Sequence, residues 1–172
     1  MREHLRNVLT LTNDWLKFAE AKNALALAFV AAITSAYIRG LDIRVLPLAP
    51  RILISAGIAS LAVAAVSALA SFLPTLLMPY LNAQRAPTPQ DNLLYFGDLA
   101  QYKPSELLTH TAAVLRYGGL PDPIDEHYAA QIVTNARIAL RKYRHFTVTC
   151  WAGLIGVVLL TAGAVTRLLD QA

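Results

Sequence analysis

The sequence has 172 residues, of which 56% are hydrophobic and only 15% are charged. Because an average soluble domain carries roughly 25% charged residues, this composition excludes a disordered chain and disfavours an ordinary soluble domain. The formal charge of +4 suits a membrane protein and does not imply a nucleic acid partner. We therefore expect an all-α integral membrane protein that forms one domain over residues 1–172.

The N-terminal segment, residues 1–22, is predicted to form an amphipathic helix that mixes apolar positions such as Leu5 with polar ones such as Arg6. This pattern favours a helix lying at the membrane interface, with Trp15 at the depth of the lipid headgroups. The Thr-Asn-Asp run at 12–14 is an alternative start, because it offers an N-cap for a new helix entering the membrane.

Three uncharged stretches are predicted to cross the membrane. The first, residues 23–38, is short, since 16 residues extend about 24 Å as a helix. The second, residues 52–73, is followed by Pro74 and Pro79, which end or kink a helix. The third, residues 146–166, is bounded by charged residues on both sides.

Residues 85–145 are predicted to form a small helical region between the second and third spans. Prolines make 85–104 a loop, and Ser105-Glu106 then opens a helix that Gly118-Gly119 closes. A second helix starts near Asp125 and meets no breaker before 168, so it continues into the third span.

Counting Lys and Arg gives the orientation. With the N-terminus inside, residues 1–22 and 85–145 carry eleven of the 15 Lys and Arg residues on the cytoplasmic side. The positive-inside rule therefore places both segments in the cytoplasm and the C-terminus outside.

Sequence patterns of enzymes are absent, including HExxH, glycine-rich phosphate loops and paired cysteines. We therefore expect no catalytic activity, no metal and no cofactor. An acidic group at 122–127 offers cation ligands, but carboxylates at a helix start explain it better. The predicted spans carry no charge in their middles, which disfavours ion-coupled transport.

Small residues in the second and third spans predict close helix packing. They serve either packing within one protomer or a face that builds a homo-oligomer or lines a pore. These residues are Ala56, Ser60, Ala64, Ser67, Ser71, Gly153 and Gly156.

A nucleotide ligand needs cationic groups for its phosphate and amide or aromatic groups for its base. Arg137, Arg141 and Lys142 supply charge before the third span, and Gln131 and Asn135 supply amides. The alternative is that these basic residues contact anionic lipid headgroups.

Three stretches together resemble the transmembrane effectors of the Pycsar anti-phage system. They are residues 13–24 (NDWLKFAEAKNA), 94–102 (LYFGDLAQY) and 131–143 (QIVTNARIALRKY). In that family a Phe-Ala-Asp/Glu-x-Lys element precedes the first span, a Phe-Phe-Gly-like element follows the second, and a Gln-Ile…Lys-Tyr helix precedes the last. Two positions depart from the pattern, Tyr95 where Phe is common and Asn135 where Ser is common.

The resemblance implies a partner pyrimidine cyclase that makes a cyclic pyrimidine mononucleotide, cCMP or cUMP, during phage infection. The effector then impairs the bacterial inner membrane, and the infected cell dies before phage mature. Matching the family elements position by position implies roles for Glu20, Lys22, Phe96, Gly97, Gln131, Asn135 and Lys142. The choice between the two nucleotides, and between a discrete pore and general bilayer disruption, stays open.

Two other hypotheses remain at this point. A structural or assembly membrane protein would use its small-residue spans for packing and its basic residues for anionic lipid. A membrane-bound enzyme would need an acid, base or nucleophile within 85–145, and no convincing candidate is present.

Overall fold

The computed structural model describes residues 1–40, 45–73, 86–119 and 121–170. Within these ranges the chain is α-helical and contains no strand, which confirms the predicted all-α class. The helices are α1 (Arg2–Gly40), α2 (Leu48–Ala70), α3 (Phe96–Leu99), α4 (Pro104–Val114) and α5 (Pro123–Leu169). Pro74 and Pro79, predicted to end the second span, lie outside the described residues.

Three of these helices, α1, α2 and α5, are long and apolar enough to cross a membrane by length and composition. Helix α1 continues without a break where the sequence suggests a fresh start at 12–14. The Thr12 hydroxyl donates to the Val8 carbonyl one turn earlier, at 2.8 Å. The capping interpretation of 12–14 is therefore wrong, because a backbone that stays helical leaves no N-cap position there.

The chain divides into two compact units. Unit 1 comprises Met1–Glu20 and Pro74–Tyr143, and unit 2 comprises Ala21–Leu73 and Arg144–Ala172. Helices α1 and α5 therefore each contribute residues to both units.

The interior of unit 1 is an apolar core shared by α1, α3, α4 and α5. Leu5 and Val8 of α1 are buried in it, together with Leu107 of α4 and Ile132 of α5. Protein side chains, rather than lipid, therefore cover Leu5 and Val8 of the apolar face predicted for 1–22, whereas Phe18 of that face is 53% exposed.

The carboxylates of Asp122 and Asp125 accept backbone N–H groups at the start of α5. The Asp122 carboxylate accepts the Ile124 N–H at 3.0 Å, and Asp125 accepts the Asp122 N–H at 3.2 Å. Arg2 pairs with Asp122 at 2.6 Å and with Asp125 at 3.5 Å. The Ile124 N–H, followed by the Arg2 guanidinium, lowers the pKa of Asp122. The contacts of the Asp122 carboxylate therefore stabilise the folded protein fully above the ordinary carboxyl pKa of about 4. This stabilisation is lost as the pH falls through the lowered pKa of Asp122.

Helix α4 ends earlier than Gly118-Gly119, at a turn centred on Arg116. The Arg116 N–H donates to the Ala113 carbonyl at 3.2 Å and the Tyr117 N–H to the Ala112 carbonyl at 2.9 Å. This pair of bonds defines a Schellman cap, whose central residue is usually glycine. Arg116 holds that position with φ of 50°, a left-handed conformation that costs a side-chain-bearing residue roughly 1–2 kcal/mol.

In unit 2 glycine lets α2 and α5 approach closely. A Cβ built on Gly156 would lie 2.8 Å from the Leu61 side chain and 3.1 Å from the Gly57 carbonyl oxygen. Gly153 faces a different neighbour, since among the described residues a Cβ there would come within 4 Å of Val30 alone, at 3.9 Å. Backbone contact at Gly57 and Gly156 therefore sets the distance between these two helices.

Hydroxyl groups join the same two helices. Ser60 donates to the Ala152 carbonyl at 2.7 Å, and Ser67 donates to the His145 carbonyl at 3.2 Å. Ala64 is fully buried beside them. Of the other small residues in the predicted face, Ser71 is buried at the C-cap of α2 and donates to the Ala68 carbonyl at 2.6 Å, whereas Ala56 is exposed.

We predict that Gly156→Ala weakens unit 2 while Gly153→Ala leaves it unchanged or slightly more stable. The added methyl at 156 has no room and should cost about 1–3 kcal/mol, whereas the methyl at 153 fills ordinary contact space and favours the helix. Thermal unfolding in detergent micelles, followed by circular dichroism, compares the two variants. Equal unfolding temperatures for both would contradict the close contact.

We also predict that Arg116→Gly raises the free energy of unfolding by about 1 kcal/mol, because glycine adopts a positive φ without strain. The same replacement at the preceding residue, Leu115→Gly, should lower it, since Leu115 has an ordinary helical φ of −79°. Both are measured by the same unfolding assay. Destabilisation by Arg116→Gly would show that the left-handed turn is not strained.

Candidate functional site

The three stretches that carry the family resemblance meet in unit 1, except for residues 21–24, which belong to unit 2. Their central contact is an aromatic cluster formed by Trp15 of α1, Phe96 of α3 and Tyr143 of α5. The Phe96 and Tyr143 rings stack with centroids 4.8 Å apart, and Trp15 lies 5.5 Å from Phe96 and 6.4 Å from Tyr143. The buried indole Nε1 of Trp15 has no hydrogen-bond partner within the described part of the chain.

Gly97 is needed beside this cluster. A Cβ at this position would collide with the ring of Tyr95, which packs 4.8 Å from the Phe96 ring. The absence of a side chain at Gly97 therefore lets Tyr95 fold over the backbone while Phe96 turns inward, where it is 5% exposed.

A chain of amides links α1 to α5. Gln131 donates to the Asn135 side-chain oxygen at 2.9 Å, and Asn135 donates to the Asn13 side-chain oxygen at 2.6 Å. Asn135 is buried. Buried amides require partners, so Asn135 is held by its neighbours on both helices and contributes to the interior of unit 1.

An ion pair joins the same helices farther along. Lys142 Nζ lies 3.0 Å from Glu20 Oε1, and the side chain of Lys142 is only 12% exposed while that of Glu20 is 48% exposed. A pair that is partly removed from water interacts more strongly than a fully exposed one. Lys22, in unit 2, instead places its ammonium 5.5 Å from the centre of the Phe146 ring.

Arg137 contacts backbone rather than open solvent. Its guanidinium donates to the Ala100 carbonyl at 3.1 Å and to the Tyr102 carbonyl at 2.8 Å. These carbonyls follow α3, so Arg137 fixes the end of that short helix against α5. Arg141 is half-buried on the same helix.

The candidate ligand residues thus divide into two groups. Side-chain contacts that hold the segments of unit 1 together involve Glu20, Phe96, Gln131, Asn135, Arg137 and Lys142. Gly97 and Arg141 lie in the same unit, whereas Lys22 belongs to unit 2. The described residues contain no group of three or more His, Cys, Asp and Glu side chains placed to hold a metal ion.

Sequence reasoning missed an open groove of about 760 Å³ in unit 1. It lies between α4 and the proline-containing segment before α3. Its lining residues are Pro87, Pro89, Tyr102, Ser105, Glu106, Thr109, His110, Ala113 and Val114. The sequence shows these prolines only as helix breakers, and nothing in the local pattern indicates that they face α4.

We predict that reversing one charge of the Glu20–Lys142 pair destabilises the protein by about 1–3 kcal/mol. Glu20→Lys places two ammonium groups together, and the double variant Glu20→Lys/Lys142→Glu should recover most of the loss. The measurement is thermal unfolding of the full chain.

The exposed pair of Lys17 and Asp14, 3.4 Å apart with both side chains more than half exposed, provides the control. Asp14→Lys should change stability by less than about 0.5 kcal/mol. Equal losses at both sites, or no recovery in the double variant, would contradict a specific ion pair.

Comparison with known proteins identifies the family. The family model of the Pycsar effector protein domain, PycTM, matches residues 4–169. Over 157 residues the chain is 33% identical to the Pycsar effector protein PtPycTM of Propioniciclava tarda, a match that covers 89% of this chain and 73% of that protein. Over 151 residues it is 34% identical to the Pycsar effector protein RsPycTM of a Rhizobium species, covering 81% of this chain and 79% of that protein.

No solved structure matches the chain significantly. The family model nevertheless covers almost all of the sequence, and both relatives align over most of their own length. The chain therefore belongs to the transmembrane effector family of the Pycsar anti-phage defence system.

Proposed function

We propose that this protein senses a cyclic pyrimidine mononucleotide, cCMP or cUMP, made by a partner cyclase, and responds by impairing the bacterial inner membrane. The infected cell then dies before phage mature. The observation that carries the proposal is the family match over residues 4–169. It is supported by the presence in one chain of three candidate spans and a separate compact unit.

The two units have different chemistry, which suits a sensor and an effector. Unit 1 contains stacked aromatic rings, an amide chain and an ion pair. Unit 2 exposes large apolar side chains, among them Phe29, Trp151 and Val158. A surface of that kind is stable against lipid or against further copies of the chain. We propose that the active form is a non-catalytic homo-oligomer.

The proposed orientation places the N-terminus and residues 85–145 in the cytoplasm, where a cyclic nucleotide is available, and the C-terminus outside. The distribution of Lys and Arg supports this orientation. Two of the basic residues that the lipid-binding hypothesis would use contact protein groups instead, since Arg137 donates to backbone carbonyls and Lys142 pairs with Glu20. This favours the effector hypothesis over a structural, lipid-binding protein.

The test is membrane integrity in bacteria that express this chain with an inducible cyclase. Propidium iodide uptake is followed with a cCMP-making cyclase, a cUMP-making cyclase and a catalytically dead cyclase. We expect uptake with one active cyclase and none with the dead enzyme, because a ligand opens a protein only through its preference for the open state. Uptake without any nucleotide, or no uptake despite confirmed protein and nucleotide, would contradict the proposal.

A further inference from the structure

We propose that the groove lined by α4 and by Pro87 and Pro89 binds the base of the cyclic pyrimidine mononucleotide, with Glu106 and His110 as its polar contacts and the phosphate directed outward. This inference rests on the proposed function and assigns the ligand to a place in unit 1. None of the residues implied by the family resemblance lines this groove.

The size and walls of the groove suit a small heterocycle. Its volume of about 760 Å³ falls within the range of roughly 300–1,000 Å³ found for small-molecule sites. Pro87, Pro89, Ala113 and Val114 give it apolar faces. The Val114 side chain is 60% exposed, so a planar base lying over it would remove apolar surface from water.

The polar groups of the groove lie on one face of α4. Glu106, Thr109 and His110 are spaced at i, i+3 and i+4, which brings their side chains together on a helix. The Thr109 hydroxyl already donates to the Ser105 carbonyl at 3.0 Å. Threonine therefore offers the groove only an acceptor, and Glu106 and His110 supply the stronger groups.

Both of those groups are held in place before a ligand arrives. The Glu106 carboxylate accepts the Lys103 backbone N–H at 3.1 Å. The His110 ring packs edge-on to buried Tyr102, whose hydroxyl lies 3.2 Å from His110 Nδ1. When that hydroxyl donates to Nδ1, the other ring nitrogen carries the proton and becomes a donor. The groove then offers one fixed acceptor and one fixed donor.

This pair complements the edge of a pyrimidine. Ring N–H or exocyclic amino groups donate to a carboxylate, as in recognition of cytosine by acidic side chains, and the carbonyl oxygen of the base accepts from an imidazole N–H. Specific recognition of single bases commonly uses this edge together with contact to the ring face.

Electrostatics gives the direction in which the ligand binds. Glu106 is the only Asp, Glu, Lys or Arg among the described residues that line the groove. Hydrogen bonding from the Lys103 backbone lowers the pKa of Glu106, so this carboxylate is ionised at neutral pH and repels a phosphate. Lys103 does not line the groove; its ammonium pairs with Glu106 Oε1 at 3.4 Å and is 68% exposed, so it is a nearby cation for a phosphate that stays outside the groove.

The test measures binding of cCMP and of cUMP to the purified full-length chain in lipid nanodiscs by isothermal titration calorimetry. Thr109→Phe fills the groove, and Thr10→Phe is its matched control. Both threonines are exposed on helices of unit 1, and each donates to the carbonyl four residues earlier. Glu106→Gln removes the negative charge but keeps an oxygen that can cap α4, and Glu3→Gln makes the same change in the first turn of α1.

We expect Thr109→Phe and Glu106→Gln each to weaken binding of the preferred nucleotide by about tenfold or more, while both control variants bind like wild type. Wild-type affinity in Thr109→Phe and Glu106→Gln would overturn the groove assignment and leave the proposed function standing. Equal losses in the control variants would also overturn it, since the effect would then be on folding. Failure of the wild-type chain to bind either nucleotide would overturn the proposed function as well.

Discussion

The partly buried hydrogen bond between Asn13 and Asn135 is the contact on which the arrangement of unit 1 depends. It joins one turn of α1 to one turn of α5, and separating the two helices there would leave the side-chain N–H of buried Asn135 without its partner on α1. With the two helices joined there, Trp15 reaches Phe96 and Tyr143, and Glu20 reaches Lys142. All of these residues lie in the three stretches that resemble the Pycsar effector family. The simplest physical account of those stretches is that they fix the pairing of the two long helices.

Unit 2 is held by a different kind of contact. Its helices α2 and α5 meet at Gly57 and Gly156, where there is no room for a side chain, and Ser60 and Ser67 donate to carbonyls of α5. In lipid, close backbone approach and such hydroxyl bonds replace the hydrophobic driving force that operates in water. Many of its large apolar side chains remain exposed. The same surface can therefore meet lipid or other copies of the chain, as the proposed membrane-impairing function requires.

The sequence predicts more of the helices than of the candidate site. Long uncharged stretches and the absence of breakers after Asp125 are local properties of the sequence, so three apolar helices and the continuity of α5 could be anticipated, whereas the unbroken helix through residues 12–14 of α1 could not. The aromatic cluster brings together Trp15, Phe96 and Tyr143, which are far apart in sequence, and no local pattern indicates such a meeting. The basic side chains of α5 suggest ligand contacts in the sequence, but spacing alone does not show that Arg137 faces the end of α3.

The central claim is that nucleotide binding to this chain alone changes the permeability of a membrane. The most direct measurement reconstitutes the purified protein in liposomes loaded with a self-quenching dye and adds cCMP, cUMP or linear CMP. We expect rapid dye release with one cyclic pyrimidine nucleotide and none with linear CMP or with liposomes that lack protein. Release that is independent of nucleotide, or no release with either cyclic nucleotide from correctly folded protein, would contradict it.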